Sequence, residues 1–350
     1  MTAPPPVPPT LRPPPIRLSP EIVTPPLAQA LRLGAVVVRA DVALLALTGP
    51  GAVTCCQGLL TNDIEKPGDG AFVYGALLTP KGMIVVDGWA TRLGATVGFA
   101  VPRLGADRAR DLFTRSIPPR LARVEDRSAD AVLLRVAGAR ALGIAQAAGI
   151  PVPGAPGRAA AGSVAGAACE VARASEGAGF ALQITAAPAA ATAITAALVA
   201  AGALEGSVGA LELSRVLAGW PALDAEVDEK TIPQEVRYDE IGGVSYTKGC
   251  YTGQETVSRL HFRGHTNRYL AGLEFAAEPP PEAPAAVLQA DKEVGRVTSV
   301  AWVPELAGGG RWIALAMVRR EVVAGETVRA AGREARVVAL PFAAEGVAPA

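Results

Sequence analysis

Apolar and polar positions change period several times along the chain. From Ala35 to Gly49 the run AVVVRADVALLALTG holds two apolar blocks split by Arg39-Ala40-Asp41, which predicts a β-hairpin or a pair of strands. AVTCCQGLLTNDI, Ala52–Ile64, predicts a helix that closes at Thr61-Asn62-Asp63. Ala71–Pro102 predicts strands broken by turns at Pro80-Lys81-Gly82, Asp87-Gly88 and Gly94. LGADRARDLFTRSI reads as a charged amphipathic helix, and AVLLRVAG, Ala131–Gly138, as another strand. Strands and helices alternate with hairpins between them, so the expected fold class is α+β rather than a doubly wound parallel sheet. FAAEPPPEAP, Phe275–Pro284, reads as an interdomain linker. After it, VGRVTSVAWV, RWIALAMV, ETVRAAG and REARVVALPF are short strands with glycine turns, the pattern of a small β-barrel or sandwich.

Two segments depart from this globular pattern. Residues 1–26 hold 11 of the 30 prolines, which predicts an extended segment without backbone pairing. ITAAPAAATAITAALVAAGAL, Ile184–Leu204, is apolar enough to raise the question of a membrane span. It is mostly alanine and threonine, carries Pro188, and spaces Ile194 and Leu198 by one helical turn, which predicts a packed helix instead.

Charge and cysteine content narrow the function. Lys plus Arg equals Asp plus Glu, 33 against 33, so no global field draws the protein to nucleic acid or to an anionic membrane. The four cysteines, Cys55, Cys56, Cys169 and Cys250, form no CxxC pair, so a zinc ribbon or disulfide framework is not suggested and reduced thiols in a cytoplasmic protein are expected. No GxGxxG follows a strand and no GxxxxGK[ST] occurs, so nothing points to a dinucleotide or P-loop site.

The chemistry concentrates in TKGCYTGQETVSRL, Thr247–Leu260. Thr252 and Glu255 have the spacing of a capping box, which predicts a helix starting at Gly253. Cys250 would then sit just before a helix N-terminus, two residues after Lys248, and both features favour thiolate. Gly249 and Gly253 leave room for a group to approach the sulfur. The alternative is a small apolar residue packed in a loop. Downstream, RLHFRGHTNR, Arg259–Arg268, is a basic stretch that could meet a carboxylate or RNA phosphate, or could simply be a solvated face. His261 and His265 are four apart, but Gly264 between them and the lack of a third ligand argue against a metal site.

KGCYTGQE resembles the signature of the YgfZ family, folate-binding relatives of the glycine-cleavage T-protein that support iron–sulfur enzymes. LTGPGAVTCCQGLLTNDI, LLTPKGMIVVDGW, SRVLAGWPALDAEVDEKTIPQEV, VGRVTSVAW and VVALPF extend the resemblance over about residues 28–345. Cys55-Cys56 stand where that family usually has a bulky apolar pair. The resemblance implies interleaved α+β subdomains with an appended β-barrel, arranged around a central hole for tetrahydrofolate. On that basis residues 28–268 form the folate-binding region and 269–350 the barrel, while residues 1–27 fall outside the resemblance and are expected, from their prolines, to be a disordered tail. It also implies that Asp87 lies near the reactive folate nitrogen and Glu235 near the pterin edge. Tyr74 is a candidate stacking surface and Arg259 a candidate partner of the glutamate tail. Cys250, with Lys248, is the implied functional thiol, acting with iron–sulfur client enzymes or cluster-assembly proteins and without direct RNA contact. The competing reading is a folate-dependent aminomethyltransferase or other one-carbon transferase. Leu217 stands where T-protein relatives often carry glutamate, and argues against it.

Overall fold

The computed structural model describes residues 17–275, 283–305, 309–330 and 332–342. Its chain begins with β1 (Arg17–Leu18), α1 (Pro25–Leu33), β2 (Val36–Arg39), β3 (Val42–Thr48) and α2 (Ala52–Gln57). A meander follows: β4 (Phe72–Leu78), β5 (Ile84–Leu93) and β6 (Thr96–Pro102). Next come α3 (Ala106–Ser116), β7 (Arg123–Asp126), β8 (Val132–Ala137), α4 (Ala141–Ala147), β9 (Arg158–Val164) and β10 (Ala167–Arg173). β11 (Leu182–Ala186), α5 (Pro188–Ala200), β12 (Leu204–Glu205) and α6 (Val208–Ala218) complete the first part, and α7 (Gln254–Arg263) leads out of it. The last strands are β13 (Arg268–Phe275), β14 (Ala285–Gln289), β15 (Lys292–Pro304), β16 (Gly310–Arg319), β17 (Thr327–Ala330) and β18 (Arg333–Val338).

These strands build three sheets. One has the order β4-β5-β6-β3-β7, and a second β12-β2-β8-β11-β10-β9. In the third, β15-β14-β17-β18-β13-β16 closes on itself because β16 also pairs with β15, giving a six-stranded barrel without free edges. β2 and β3 are separated only by Ala40 and Asp41, yet they join different sheets. They are a pair of strands and not a hairpin. The chain therefore starts the second sheet, builds the whole first sheet, and returns to finish the second, so the two subdomains interleave. β2 is buried at Val36, Val37 and Val38, whereas β3 alternates between buried and half-buried positions, as a strand covered on one face does.

Several expectations change. Asp87-Gly88 is not a turn but the middle of β5, where Gly88 lies opposite Gly75 of β4. A Cβ on Gly88 would stand 2.5 Å from the Ala100 carbonyl oxygen, so the glycine serves close strand approach rather than chain reversal. α2 stops at Gln57, well before Thr61. Thr61 instead donates its hydroxyl to the Gly243 carbonyl at 2.6 Å, tying this loop to a distant segment. The proline-rich stretch does not stay unpaired where it is described. Arg17–Leu18 pair in parallel with Val300–Ala301 of the barrel, and Leu18, Val23 and Leu27 are buried. Pro25 and Pro26 occupy the first turn of α1, where a missing N–H costs nothing and the fixed φ suits a helix. Residues 1–16 and most of the expected linker, 276–282, lie outside the described residues.

The apolar window Ile184–Leu204 resolves into β11, α5 and β12, with Ala191, Ile194 and Leu198 turned into the core of the second sheet. Among the described residues no helix is long and apolar enough to cross a membrane.

Candidate functional site

The two sheets, α6 and the barrel meet around a cavity of about 330 Å³. Tyr74 on β4, Asp87 and Trp89 on β5, Arg135 on β8, Arg215 on α6 and Ser299 on β15 all line it. Asp87 and Trp89 are two apart on one strand, so the pleat turns both the same way. Phe180 and Trp220 complete its aromatic wall. Trp89 packs edge-on against Phe180 with centroids 5.0 Å apart, and Tyr74 packs edge-on against Trp220 at 4.9 Å.

Asp87 is 3% exposed. Its Oδ2 accepts the Tyr74 hydroxyl at 2.5 Å and the Tyr238 hydroxyl at 3.3 Å, and the two phenol oxygens are 3.2 Å apart. Its Oδ1 is buried with no partner among the described residues. Burial pushes the Asp87 carboxyl up from the usual carboxylate range, opposed by the two phenol hydrogen bonds. Both tyrosines are pushed well up in turn, by burial and by the adjacent carboxylate. The result is a carboxylate at the cavity wall with one oxygen held by phenols and one buried without a donor. Nearby, Arg215 is bound on all sides, to Glu212 at 2.8 Å, Glu226 at 3.0 Å and Ser299 at 2.9 Å, and the two glutamates hold its charge against the cost of burial.

Of the residues singled out in the sequence, Asp87 and Tyr74 meet here; Cys250, Lys248, Glu235 and Arg259 do not line the cavity. Glu235 is engaged by Arg268, whose Nε and Nη2 each donate to one of its carboxylate oxygens at 2.9 Å. Arg268 opens β13, so Glu235 clamps the barrel to the first part of the chain, away from the residues that line the cavity. Arg259 is exposed on α7.

The thiol loop also differs from its expected geometry. Gly253 precedes α7 with φ 83°, and no side chain caps the helix, so the Thr252–Glu255 capping box does not form. A Cβ at Gly253 would stand 2.6 Å from the Thr79 carbonyl oxygen, which together with the positive φ requires glycine there. Lys248 is buried, and its ammonium donates to the carbonyls of Gln57 and Leu60 at 2.6 Å and of Asn62 at 2.9 Å. It thus satisfies the carbonyl of the last α2 residue and two carbonyls of the loop that follows. Burial brings Lys248 down to about 8, and the neighbouring thiol it acts on is Cys56, not Cys250. Burial drives Cys56 up to about 12. Cys250 itself is exposed. On α7, His261 stacks on Tyr246 with centroids 3.7 Å apart and bonds Asp239 at 3.0 Å.

Sequence reasoning missed Trp89, Tyr238, Trp220, Phe180, Arg135 and Arg215. Trp89 was reachable through its i, i+2 relation to Asp87, and Arg215 through its i, i+3 relation to Glu212. Tyr238, Phe180 and Arg135 carry no local signal, because only the chain path brings them to Asp87.

Residues 37–241 match the family described as GCVT N-terminal domain, and residues 268–343 match the glycine cleavage T-protein C-terminal barrel domain. A protein named tRNA-modifying protein YgfZ, from Serratia proteamaculans (strain 568), is 40% identical over 97 residues, 27% of this chain and 29% of that one. A protein of the same name from Escherichia coli O45:K1 (strain S88 / ExPEC) is 47% identical over 66 residues, 19% of this chain and 20% of that one. These alignments therefore span less than a third of the relatives' length. The crystal structure of glycine cleavage system aminomethyltransferase T from Bartonella henselae superimposes with a TM-score of 0.77 at 20% identity, over 93% of this chain and 90% of that one. At that identity the likeness is one of fold. Interleaved sheets, closed barrel and family matches agree: the chain belongs to the glycine cleavage T-protein family, with a GCVT N-terminal domain followed by the C-terminal barrel, and resembles YgfZ within it.

Proposed function

We propose that this chain is a YgfZ-type folate-binding protein of the cytoplasm that assists the assembly or repair of iron–sulfur clusters, with Cys250 as its functional thiol. Residues 28–268 would form the folate-binding region and 269–350 the barrel. The observation that carries the folate reading is the unpartnered Asp87 Oδ1 inside an aromatic-walled cavity. A reduced pterin is a flat ring system with N–H donors on its edge, so it suits aromatic faces and a lone acceptor. Bound there, tetrahydrofolate would supply a carrier for one-carbon units. Asp87 would orient it through a charge-assisted hydrogen bond, and Tyr74 and Tyr238 would fix the carboxylate. The thiol reading rests on the exposure of Cys250 beside a helix start, in contrast to buried Cys56 and Cys169. Cluster ligation, sulfur exchange and a transient disulfide are all open to it. The name carried by the relatives fits an indirect role, through iron–sulfur enzymes that modify tRNA.

The test is titration with tetrahydrofolate, read by quenching of Trp89 and Trp220 fluorescence. Saturable binding, weakened in Asp87→Ala, is expected. No quenching at concentrations well above micromolar would remove the folate reading. For the thiol, Cys250→Ala should fail to restore iron–sulfur enzyme activity in cells lacking the protein. Full restoration would make Cys250 an ordinary loop residue.

A further inference from the structure

Three arginines line the cavity. Arg103 is paired with Asp41 at 2.7 Å and donates to the Val42 carbonyl at 2.9 Å. The protein treats the other two in opposite ways. Arg215 is saturated by Glu212, Glu226, Ser299 and the Trp220 carbonyl. Arg135 has no hydrogen-bond or ion-pair partner among the described residues, and its Nε is buried without an acceptor. What holds it is the face of Phe180, 4.3 Å below its central carbon. The carboxylate whose charge favours its cationic form is Glu212, which makes no hydrogen bond to Arg135 and gives its Oε2 to Arg215 at 2.8 Å. Burial lowers Arg135 to about 10, so it remains a full cation at neutral pH. Arg135 is half-buried, with its Nε shut off from water and no acceptor upon it. Such a cation is partly desolvated at a cost, and an arginine fork matches a carboxylate with two parallel donors.

The cavity therefore presents two unmet demands, an acceptor at Asp87 Oδ1 and a donor at Arg135 Nε. We propose that Arg135 is the carboxylate-recognition residue of this cavity, so that its ligand carries an N–H-rich ring for Asp87 and an anionic carboxylate for Arg135. The proposal deepens the folate reading and rests on it: the carboxylate is then one of the glutamate tail, a contact that the sequence assigned to Arg259. It also sets the direction of the ligand. An anionic end placed against Asp87 would meet repulsion, and a donor edge placed against Arg135 would leave both groups unmatched.

Three probes separate the ends: tetrahydrofolate, 6-methyltetrahydropterin, which lacks the tail, and 4-aminobenzoylglutamate, which lacks the pterin. Binding is read by tryptophan quenching in wild type, Arg135→Gln and Arg135→Lys. Arg135→Gln should weaken tetrahydrofolate and 4-aminobenzoylglutamate by about tenfold or more, the worth of one charge-assisted contact. It should leave 6-methyltetrahydropterin within about twofold of wild type. Arg135→Lys should keep part of the tail affinity, which shows that charge is what is read. Loss of 6-methyltetrahydropterin binding equal to that of tetrahydrofolate would overturn the assignment, as would unchanged tetrahydrofolate binding. Wild type that binds the pterin but gains nothing from the tail keeps the folate reading and removes this one. Wild type that binds 4-aminobenzoylglutamate through Arg135 but not the pterin removes the folate reading, and with it the ring assigned to Asp87, and leaves only the carboxylate contact of Arg135. Circular dichroism checks that each variant folds, and either substitution alone suffices for the comparison.

Discussion

Replacing Asp87 by asparagine should stabilise the protein at neutral pH while weakening its ligand binding. The carboxylate is 3% exposed and one of its oxygens has no partner. The amide nitrogen that Asp87→Asn places at Oδ1 would be unpartnered too, so what the substitution removes is the extra cost of a buried charge over a neutral group, about 2–3 kcal/mol. Against this stand the hydrogen bonds from Tyr74 and Tyr238, which are stronger to a carboxylate than to an amide oxygen by about 1 kcal/mol together. Burial is the larger influence, since it leaves the carboxyl above its ordinary 3.8 in spite of the phenols. The expected gain for Asp87→Asn at pH 7 is about 1–2 kcal/mol, or a rise in Tm of about 1–3 °C. The pH dependence has a definite sign. Folded Asp87 keeps its proton to higher pH than the unfolded chain does, so its contribution is full below 3.8 and is lost as pH rises through the folded value. The gap between variant and wild type should therefore shrink as pH is lowered from 7 toward 4, measured by thermal unfolding across that range. An asparagine variant less stable than wild type at pH 7, or a gap constant with pH, would refute the reasoning. In the same samples tetrahydrofolate binding should fall by about tenfold, because the lone anionic acceptor has gone.

Lys248→Ala should cost about 3 kcal/mol in urea unfolding, since three backbone carbonyls lose a charged donor and two of those bonds are fully buried. An unchanged midpoint would mean that water replaces the ammonium. Leu18→Ala should cost about 2–5 kcal/mol, because Leu18 is 1% exposed where β1 meets the barrel; a loss under about 0.5 kcal/mol would return this segment to the status of a loose tail. Iodoacetamide should modify Cys250 well before Cys55, Cys56 or Cys169, as followed by peptide mass spectrometry, because Cys250 is exposed and burial raises the other three. Modification of Cys56 at a comparable rate would show that the α2 region opens readily.

Much of the fold was legible in the sequence, for a reason particular elements make plain. α3 and α5 show their buried faces as three- and four-residue spacings, and the barrel strands show theirs as short apolar runs between glycines. Such patterns record which side of an element is dry, a local property. The KGCYTGQE signature and the segments around it carried the family and, through it, Asp87 and Tyr74. Where local rules misled, a distant segment had supplied what the rule assumed was missing. Asp87-Gly88 reads as a turn until Ala100 needs the space a Cβ would take. Thr252 and Glu255 read as a capping box until Gly253 adopts a positive φ beneath Thr79.

What the sequence by itself determined is therefore the set of elements, their dry faces and the family to which they belong. Tertiary structure alone decided where each charge found its partner. Nothing near Lys248 shows that its ammonium reaches back to the end of α2, or that Glu235 meets Arg268 at the mouth of the barrel. Nothing near Arg135 shows that it lies on Phe180 without an anion while Arg215 takes both glutamates. Hydrophobic burial is set by spacing along the chain, but a hydrogen bond or ion pair depends on the approach of two particular atoms across it. In this protein the chain leaves the second sheet after β2 and returns at β8, and that detour fixes those approaches.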